Sequence, residues 1–558
     1  MKDVEKYRPL YFMPPGEHTD WVRRDRLDRA PAWCSVDLRD GNQALVTPMS
    51  LDEKLAYYKF LLGIGFKEIE VGFPAASETE YAFMRTIIDG GLIPDDVTIQ
   101  VLTQSRAHII EETFAALKGV PRAIVHLYNS TSPAQREQVF KLSEAEIVAV
   151  AEEGARLFNS LAAGMPETEF AFEYSPESFT GTEPEFALAI CNSVLDVWKP
   201  GKSRRAIVNL PATVETSMPH VYAQQIAYMN RNLKYRENVA ISLHPHNDRG
   251  TGVAAAELGL LAGADRVEGT ILGNGERTGN VDIVTLALNL YTHGVDPGLD
   301  FSDMPRIVRT FEEATGLQIS PRHPYAGDLV FAAFSGSHQD AIAKGMQMRK
   351  ERGWKQWAVP YLPLDPEDVN REYETTVIRI NSQSGKGGIS YILETSFGYK
   401  LPKELRQEVG YLVKDISDKA HKELSPAEIL EAFASSYVNV EGPIMLENAG
   451  WKRDGVKTVA DLTVTLEGKR HTLSGVGNGS LDAVSRALRD GDTKLEFSFS
   501  DYAQHALESN SDARAAAYVR ILGKAGNAVW GVGVHNDITM ASVLALVSAV
   551  NRELAVRG

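Results

Sequence analysis

From about residue 32 to residue 272 the sequence alternates eight times between a short apolar run and an amphipathic stretch of helical length. The runs are Trp33–Leu38, Glu68–Gly72, Thr98–Thr103, Ala123–Tyr128, Glu169–Tyr174, Arg205–Leu210, Val239–Leu243 and Arg266–Leu272. Most are short and apolar enough to be buried on both faces, as parallel strands are. The stretches between them start as helices do. Ser50 with Glu53, and Ser143 with Glu146, form capping boxes ahead of periodic Leu, Ile and Val. Gly252 to Ala264 is rich in Ala and Leu. Eight β-then-α units in about 250 residues match a (β/α)8 TIM barrel. The competing arrangement, a doubly wound open sheet, usually carries a Gly-rich phosphate turn after its first strand. Here the first run leads into Arg39-Asp40-Gly41-Asn42-Gln43, which is a different chemistry.

At 558 residues the chain is too long for that barrel alone. Its 58 Lys and Arg against 74 Asp and Glu leave a net charge of −16, so nucleic acid and anionic membrane surfaces are poor partners. No uninterrupted apolar run approaches a membrane span, and Met1 to Pro15 lacks the apolar core of a signal peptide. The two cysteines, Cys34 and Cys191, exclude a disulfide scaffold and point to a reducing, cytoplasmic compartment.

In such a barrel, active-site residues sit at the C-terminal ends of the strands. Those ends carry Arg39 and Asp40, then His126, then Ser175 and Glu177, then Thr213, then His244 and His246, and finally the loop Gly273 to Asn280 with Gly275 and Arg277. His244 and His246 are two apart and share a face if their run is a strand. Alone, that spacing also suits a hydrogen-bonded or surface pair. Asp40, His244, His246 and Asn280 together offer two imidazoles and several oxygens, a mixed set that suits an open divalent site for Mg2+, Mn2+ or Zn2+. Such an ion polarises the carbonyl of a chelating 2-oxo acid, and Arg39 could neutralise the oxygen as it gains charge. Arg39 could equally be a salt-bridge partner, and the Gly273 to Asn280 loop a tight turn.

Leu38 to Gln43, Ser242 to Asp248 and Gly273 to Asn280 together resemble the metal-dependent Claisen-condensing and lyase barrel superfamily, and within it the 2-isopropylmalate synthase family, over the whole chain. The resemblance implies that Asp40, His244, His246 and Asn280 hold the metal, and that Arg39 polarises the keto oxygen. It also implies that His126, Ser175, Glu177 and Thr213 line the 2-oxo acid pocket. By its own residues the Gly273 to Asn280 loop, with Gly275 and Arg277, would help at the coenzyme A end or in closing the site, since amides freed by glycine can approach an anion closely. The implied reaction joins acetyl-CoA to 3-methyl-2-oxobutanoate. The acetyl methyl group loses a proton, the enolate attacks the ketone, and water cleaves the thioester. Glu177 is a candidate base, and His338 beside Tyr361 matches a pair that the family contributes across a homodimer. Read without the resemblance, His338 in its Ser- and Gly-rich segment is an exposed loop histidine. A monovalent activator such as K+ belongs to the same expectation. Sister synthases taking pyruvate (citramalate) or 2-oxoglutarate (homocitrate), a lyase running in reverse, and a silent leucine sensor are the alternatives.

The rest of the chain divides into linker subdomains over 326–430 and an α+β domain over 431–558, after a catalytic segment 1–325. In the linker, Pro366 suits a helix start, Thr375 to Asn381 alternates like a strand, and Ser382 to Gly388 reads as a flexible turn without Walker spacing. Leu401 to Leu430 reads as helix. Beyond 431, two strand-rich units, each followed by a helix (Leu481 to Leu488 and Ile538 to Glu553), suggest an internal duplication. This region has no acid–base cluster, so it is a binding or dimerisation module. The resemblance makes it a leucine-sensing regulatory domain with Tyr502 near the leucine pocket.

Overall fold

The computed structural model describes residues 4–202, 204–373, 386–420, 424–491, 493, 495–507 and 513–557. They fall into two compact units, Met1–Val330 with Pro366–Arg371, and Phe331–Asp365 with Glu372–Gly558.

The first unit is built on β1 (Ala32–Ser35), β2 (Glu68–Gly72), β3 (Thr98–Gln104), β4 (Arg122–Ser130), β5 (Glu169–Glu177), β6 (Ala206–Ala212), β7 (Val239–Pro245) and β8 (Arg266–Gly269). They pair in parallel in that order, and β1 closes on β8 to complete the barrel. Between and after them run α1 (Leu51–Ile64), α2 (Glu78–Asp89), α3 (Ala107–Ala116), α4 (Glu144–Ala163), α5 (Pro184–Trp198), α6 (Pro219–Asn232), α7 (Gly252–Leu261) and α8 (Ile283–Thr292). Both expected capping boxes are present: Ser50 and Glu53 start α1, and Ser143 and Glu146 start α4.

Two strand expectations need correction. β1 ends at Ser35, and Asp37–Gly41 winds into a helical turn, so Arg39 and Asp40 sit on that turn and not on a strand. β8 likewise ends at Gly269 and gives way to a short helical turn, Ile271–Gly273. Both ends are pinned through Asp37, whose buried carboxylate accepts from the Ile271 amide and the Ser35 and Tyr57 hydroxyls.

The strands are not apolar on both faces. Their outward residues are, as in Ile69, Val71, Ile99, Val101, Val125, Phe172 and Val208. Their inward residues are polar: Glu70, Gln100, His126, Glu173, Asn209, His244, Arg266 and Glu268, all buried. Contacts between strands that are not neighbours show that these side chains cross the interior. Glu70 meets His126 at 3.2 Å, Gln100 meets Glu268 at 3.2 Å, and Asn209 meets Glu268 at 3.2 Å. Such interiors are usually filled with branched aliphatics. Here a hydrogen-bonded ionic layer replaces them beneath the C-terminal mouth.

The second unit contains α10 (Gly336–Arg352), which follows α9 (Met304–Thr315) of the first unit, then α11 (Lys386–Phe397), α12 (Lys403–Ala420) and α13 (Pro426–Tyr437). His338 therefore lies in the first turn of α10 and is half-buried, not in an exposed loop. Pro366 opens a short 3-10 turn, Pro366–Val369. The expected strand Thr375 to Asn381 and the start of the expected turn at 382 lie outside the described residues, and Lys386 to Gly388 belong to α11. The expected helix Leu401 to Leu430 is two helices, α12 and α13.

The duplication is visible. β9 (Ile444–Asp454), β10 (Lys457–Leu466) and β11 (Lys469–Gly477) form one antiparallel sheet followed by α14 (Ser480–Asp490). β12 (Phe497–Ala506), β13 (Ala515–Gly523) and β14 (Ala528–His535) form the second, followed by α15 (Ile538–Arg557). In each, a Gly-Val-Gly strand lets its helix approach closely. A Cβ at Gly475 would lie 2.3 Å from the Ala483 carbonyl, and one at Gly531 would lie 2.2 Å from the Ala549 amide. By length and composition alone Ile538–Ala555 could cross a membrane, but Asn551, Arg552 and Glu553 interrupt its apolar run and 61% of it is buried in its own unit. Its apolar face instead shares a core with both sheets.

Candidate active site

At the C-terminal mouth of the barrel a pocket of about 270 Å³ is lined by Arg39, Asp40, His126, Ser175, Glu177, Thr213, His244, His246 and Arg277. Gln43, Leu102, Tyr128, Asn209, Pro211 and Glu276 complete it. One ligand atom from each of Asp40, His244 and His246 lies within 4.8 Å of the others. His244 is the penultimate residue of β7 and His246 follows the strand on a bridge to Asn280, so the two rings face the same way with centroids 5.5 Å apart.

The electrostatics of this group follow from burial and pairing. Burial alone would raise the Asp40 carboxyl. Arg39, 2.8 Å away, and then His244 hold it well below the usual carboxylate range. His244 is held at both nitrogens, Nε2 at 3.0 Å from Asp40 and Nδ1 at 2.7 Å from Glu268. Burial opposes its charge, but those two hydrogen bonds outweigh burial and raise it to about 9. His246 is pushed down to about 4 by burial and the neighbouring His244, so it is neutral at pH 7. Glu173 is driven up, first by burial and then by Glu268. Around it the cations Arg39, Arg266 and His244 lie against the carboxylates Asp40, Glu70 and Glu268.

These residues fit a divalent ion. Nδ1 of His246 and Oδ1 of Asn280 are buried with no hydrogen-bond partner among the described residues. A buried polar atom without a partner is rare in a native protein and often marks an ion or water site. The donor set is carboxylate, two imidazoles and an amide, and a cation would take the place of the Nε2 proton on His244. The Asn280 amide nitrogen, not its oxygen, faces Asp40 at 2.8 Å, because a bare carboxylate attracts an N–H donor. The cluster His126, Glu173 and Glu268 has the same formal potential. It already holds a cation, the Arg266 guanidinium, which contacts both carboxylates.

The remaining expected residues take these places. Arg39 lies over the pocket floor, its Nε donating to Glu70 at 2.6 Å. His126 Nε2 and Ser175 Oγ are 2.7 Å apart, and Asn209 donates to the same hydroxyl at 3.0 Å. The Ser130 hydroxyl donates to Glu177. Thr213 Oγ1 accepts from the Ser178 amide at 2.9 Å. Arg277 is tied to Asp248 at 2.7 Å and to the Thr213 carbonyl at 2.6 Å. Gly275 does not line the pocket. At φ +152° it makes room for Asn280, whose Oδ1 would lie 1.9 Å from a Cβ there. In the second unit, His338 and Tyr361 stack with centroids 3.9 Å apart, and Tyr361 is 60% exposed with φ +65°. Tyr502 on β12 lies 2.7 Å from the Ser542 hydroxyl on α15.

The inward layer of Glu70, Gln100, Glu173, Arg266 and Glu268 is a part of the site that the apolar-run reading of the strands misses. Its signal is the period-two alternation of Glu68-Ile69-Glu70 and Arg266-Val267-Glu268.

Residues 30–311 match the HMGL-like family model, and this places the barrel and its mouth in the HMGL-like class of enzymes. Residues 328–394 match the model for the alpha-isopropylmalate synthase post-catalytic domain-like region, and 423–554 match the LeuA allosteric (dimerisation) domain. The 2-isopropylmalate synthase of Desulfitobacterium hafniense (strain Y51) is 61% identical over 558 residues, covering 99% of this chain and 98% of that one. That of Helicobacter hepaticus is 56% identical over 555 residues, covering 98% and 99%. That of Acetoanaerobium sticklandii is 52% identical, covering 96% and 94%. The chain belongs to the 2-isopropylmalate synthase family.

Proposed function

We propose that the chain condenses acetyl-CoA with 3-methyl-2-oxobutanoate and hydrolyses the thioester, releasing 2-isopropylmalate and CoA, the first committed step of leucine synthesis. The observation that carries this is the buried Asp40, His244 and His246 group beside Arg39, in a chain whose relatives named above bear that activity's name over their full length.

Asp40, His244, His246 and Asn280 would hold a divalent ion, Mg2+, Mn2+ or Zn2+, which when bound supplies Lewis acidity toward the 2-oxo acid. Arg39 is fixed by Asp40 and Glu70, so its charge is in position before the keto oxygen gains electrons, and no reorganisation is needed at that moment. His126 and Asn209 orient the Ser175 hydroxyl toward the substrate's polar end. Leu102, Tyr128 and Pro211 supply an apolar wall for the branched end. Of the cations lining this pocket, Arg277 is neutralised by Asp248, Arg39 by Asp40 and Glu70, and His244 by Asp40 and Glu268, leaving no spare charge for the second carboxylate of 2-oxoglutarate. That favours a monocarboxylic acid over the homocitrate alternative, and the branched substrate over pyruvate rests on the wall.

The acetyl methyl group must lose a proton to a base as the new carbon–carbon bond forms. The alkoxide then takes a proton, and water adds to the thioester to expel CoA thiol. Glu177 is the candidate base on the pocket wall. His338 and Tyr361 are candidates from the second unit, acting across a homodimer, and Arg277 is assigned to the coenzyme A end. A monovalent activator such as K+ belongs to the same reading. Segments 1–325, 326–430 and 431–558 serve as catalytic, linking and leucine-sensing parts, with Tyr502 near the leucine pocket. Both cysteines are free and buried, which accords with a cytoplasmic enzyme.

The test is release of CoA thiol from acetyl-CoA with a divalent ion, using pyruvate, 2-oxobutanoate, 3-methyl-2-oxobutanoate and 2-oxoglutarate in parallel, with and without leucine. Preference for 3-methyl-2-oxobutanoate, suppressed by leucine, supports the whole reading. Preference for another acid moves the enzyme to a sister synthase.

A further inference from the structure

The opposite, N-terminal end of the barrel holds a second cavity, of about 620 Å³, lined by the opening residues of all eight strands. In most such barrels this end serves stability alone. Here its charges do not balance. Arg266 is matched by Glu68 and Glu268, and Arg236 by Asp265. Arg204 donates to Asn159 and to the Trp198 carbonyl. Arg29, Arg122, Lys202 and Arg205 remain, facing Glu169 and Glu237. None of these four cations makes an ion pair or side-chain hydrogen bond among the described residues, although Arg122 stands opposite Glu169 in the strand register. The charge of Arg204, whose partners are neutral, is offset by the second carboxylate on Arg266, so the excess is two positive charges, on a chain whose net charge is −16.

Arg122 carries the argument further. Its Nε is buried and has no hydrogen-bond partner among the described residues. An unpaired buried donor is costly, more so when charged, and such a group calls for an acceptor that the chain itself does not provide. Guanidinium groups with free N–H donors fit the oxygens of a phosphate. A phosphate monoester carries about −1.5 to −2 at neutral pH, which matches the excess. The cavity is large enough for the organic part of such an ester as well.

We propose that the N-terminal mouth of the barrel binds a small phosphate-bearing anion, on Arg122 and Arg205 with help from Arg29 and Lys202. This site is separate from the metal group and does not depend on the reaction assigned to it.

The experiment is calorimetric titration of the full chain, stripped of divalent ions on a chelating resin, with glycerol 3-phosphate, inorganic phosphate and succinate. Saturable binding of a phosphate at one site per chain is expected, with succinate weaker. Arg122→Gln and Arg205→Gln should each weaken it about tenfold. Arg277→Gln, at the other mouth, should leave it unchanged. Arg205 and Lys202 are exposed, so Arg205→Gln and Lys202→Gln carry the test if Arg122→Gln does not fold. No saturable binding up to 10 mM (about 100 times a weak Kd scale of ~0.1 mM), succinate binding as well as the phosphates, or an affinity that follows Arg277 and not Arg122 and Arg205 would each overturn the proposal.

Discussion

Glu268 accepts a hydrogen bond from Nδ1 of His244 at 2.7 Å, on the side of the ring opposite Asp40. The carboxylate is fully buried and is itself held by Arg266 and Asn209. A proton fixed on Nδ1 leaves Nε2 as the nitrogen that faces the Asp40 and His246 group, the arrangement by which outer carboxylates orient metal-binding histidines. Glu268→Gln should therefore lower divalent-ion affinity about 10- to 100-fold, the range for losing such a partner. Competition against a fluorescent chelator would measure it. Unchanged affinity would mean that the carboxylate serves only to neutralise Arg266.

His246→Ala removes a neutral, buried ring and leaves every hydrogen bond of the Asp40 and His244 pair intact. The fold should survive, as judged by circular dichroism and thermal melting. Thiol release in the presence of Mg2+ or Mn2+ should fall by more than about 100-fold, since a direct ligand matters more than an outer partner. Chelator treatment of the unaltered enzyme should give the same loss, reversed by adding the ion. Near-normal turnover in the variant would take His246 out of the ligand set.

The barrel and the residues at its mouth are legible in the sequence because each strand and helix carries its own local signal: a capping box at Ser50 or Ser143, an apolar run, a polar residue at the strand end. The interior layer is less legible. Reading the runs as apolar throughout averages Ile69 with Glu70 and Val267 with Glu268, although they point to opposite sides of the wall. That Glu70 meets His126, or that Arg266 lies between Glu173 and Glu268, depends on closure of the barrel, which no local pattern contains. The placement of Arg39 and Asp40 on a turn fails for a similar reason. Asp37 ends β1 by binding the Ile271 amide, more than 200 residues away in the chain.

Gly275 is needed for the place of Asn280, not for contact with a ligand. Any side chain at 275 meets the Asn280 amide and must adopt a backbone angle, φ +152°, that L-residues avoid. Gly275→Ala should cost about 1–3 kcal/mol of stability and displace Asn280. It should weaken divalent-ion binding in the same assay as Asn280→Ala does. A variant with normal ion affinity and a lowered melting temperature would separate the turn from the site.

Asp37 predicts how stability changes with pH. Burial raises its carboxyl to about 7, against 3.8 in the unfolded chain, despite the hydrogen bonds from Ser35, Ile271 and Tyr57. Between these values the folded chain holds a proton that the unfolded chain has lost. The contribution of Asp37 is therefore most favourable below about pH 4, falls as pH rises toward 7 and is constant above, a loss on the order of a few kcal/mol. Asp37→Asn keeps the shape and removes the titration. Denaturant melts between pH 4.5 and 7.5 should show a flatter profile for the variant, and parallel profiles would mean the carboxyl is ionised throughout.

Separating the leucine-sensing part from the rest is best done by substitution, because a cut near residue 430 divides a shared core. Ile389, Leu393, Val409, Val413, Ile429 and Phe433 from α11, α12 and α13 pack with Ala516, Tyr518, Trp530 and Val532 of the second sheet. A chain ending at 430 would expose that helical face, and burial of each such side chain is worth about 1.5–3 kcal/mol. We expect the shortened chain to aggregate or lose α11 and α12, measurable by light scattering and helical circular dichroism, so its response to leucine would say little. Tyr502→Ala avoids this. Tyr502 is partly exposed and joins β12 to α15 through the Ser542 hydroxyl, with no part in the shared core. If leucine binds there, the variant should retain turnover and need at least about tenfold more leucine for half-inhibition, the loss expected for one hydrogen-bonded aromatic contact. Undiminished inhibition in an active Tyr502→Ala enzyme would move the effector site away from the β12 and α15 junction.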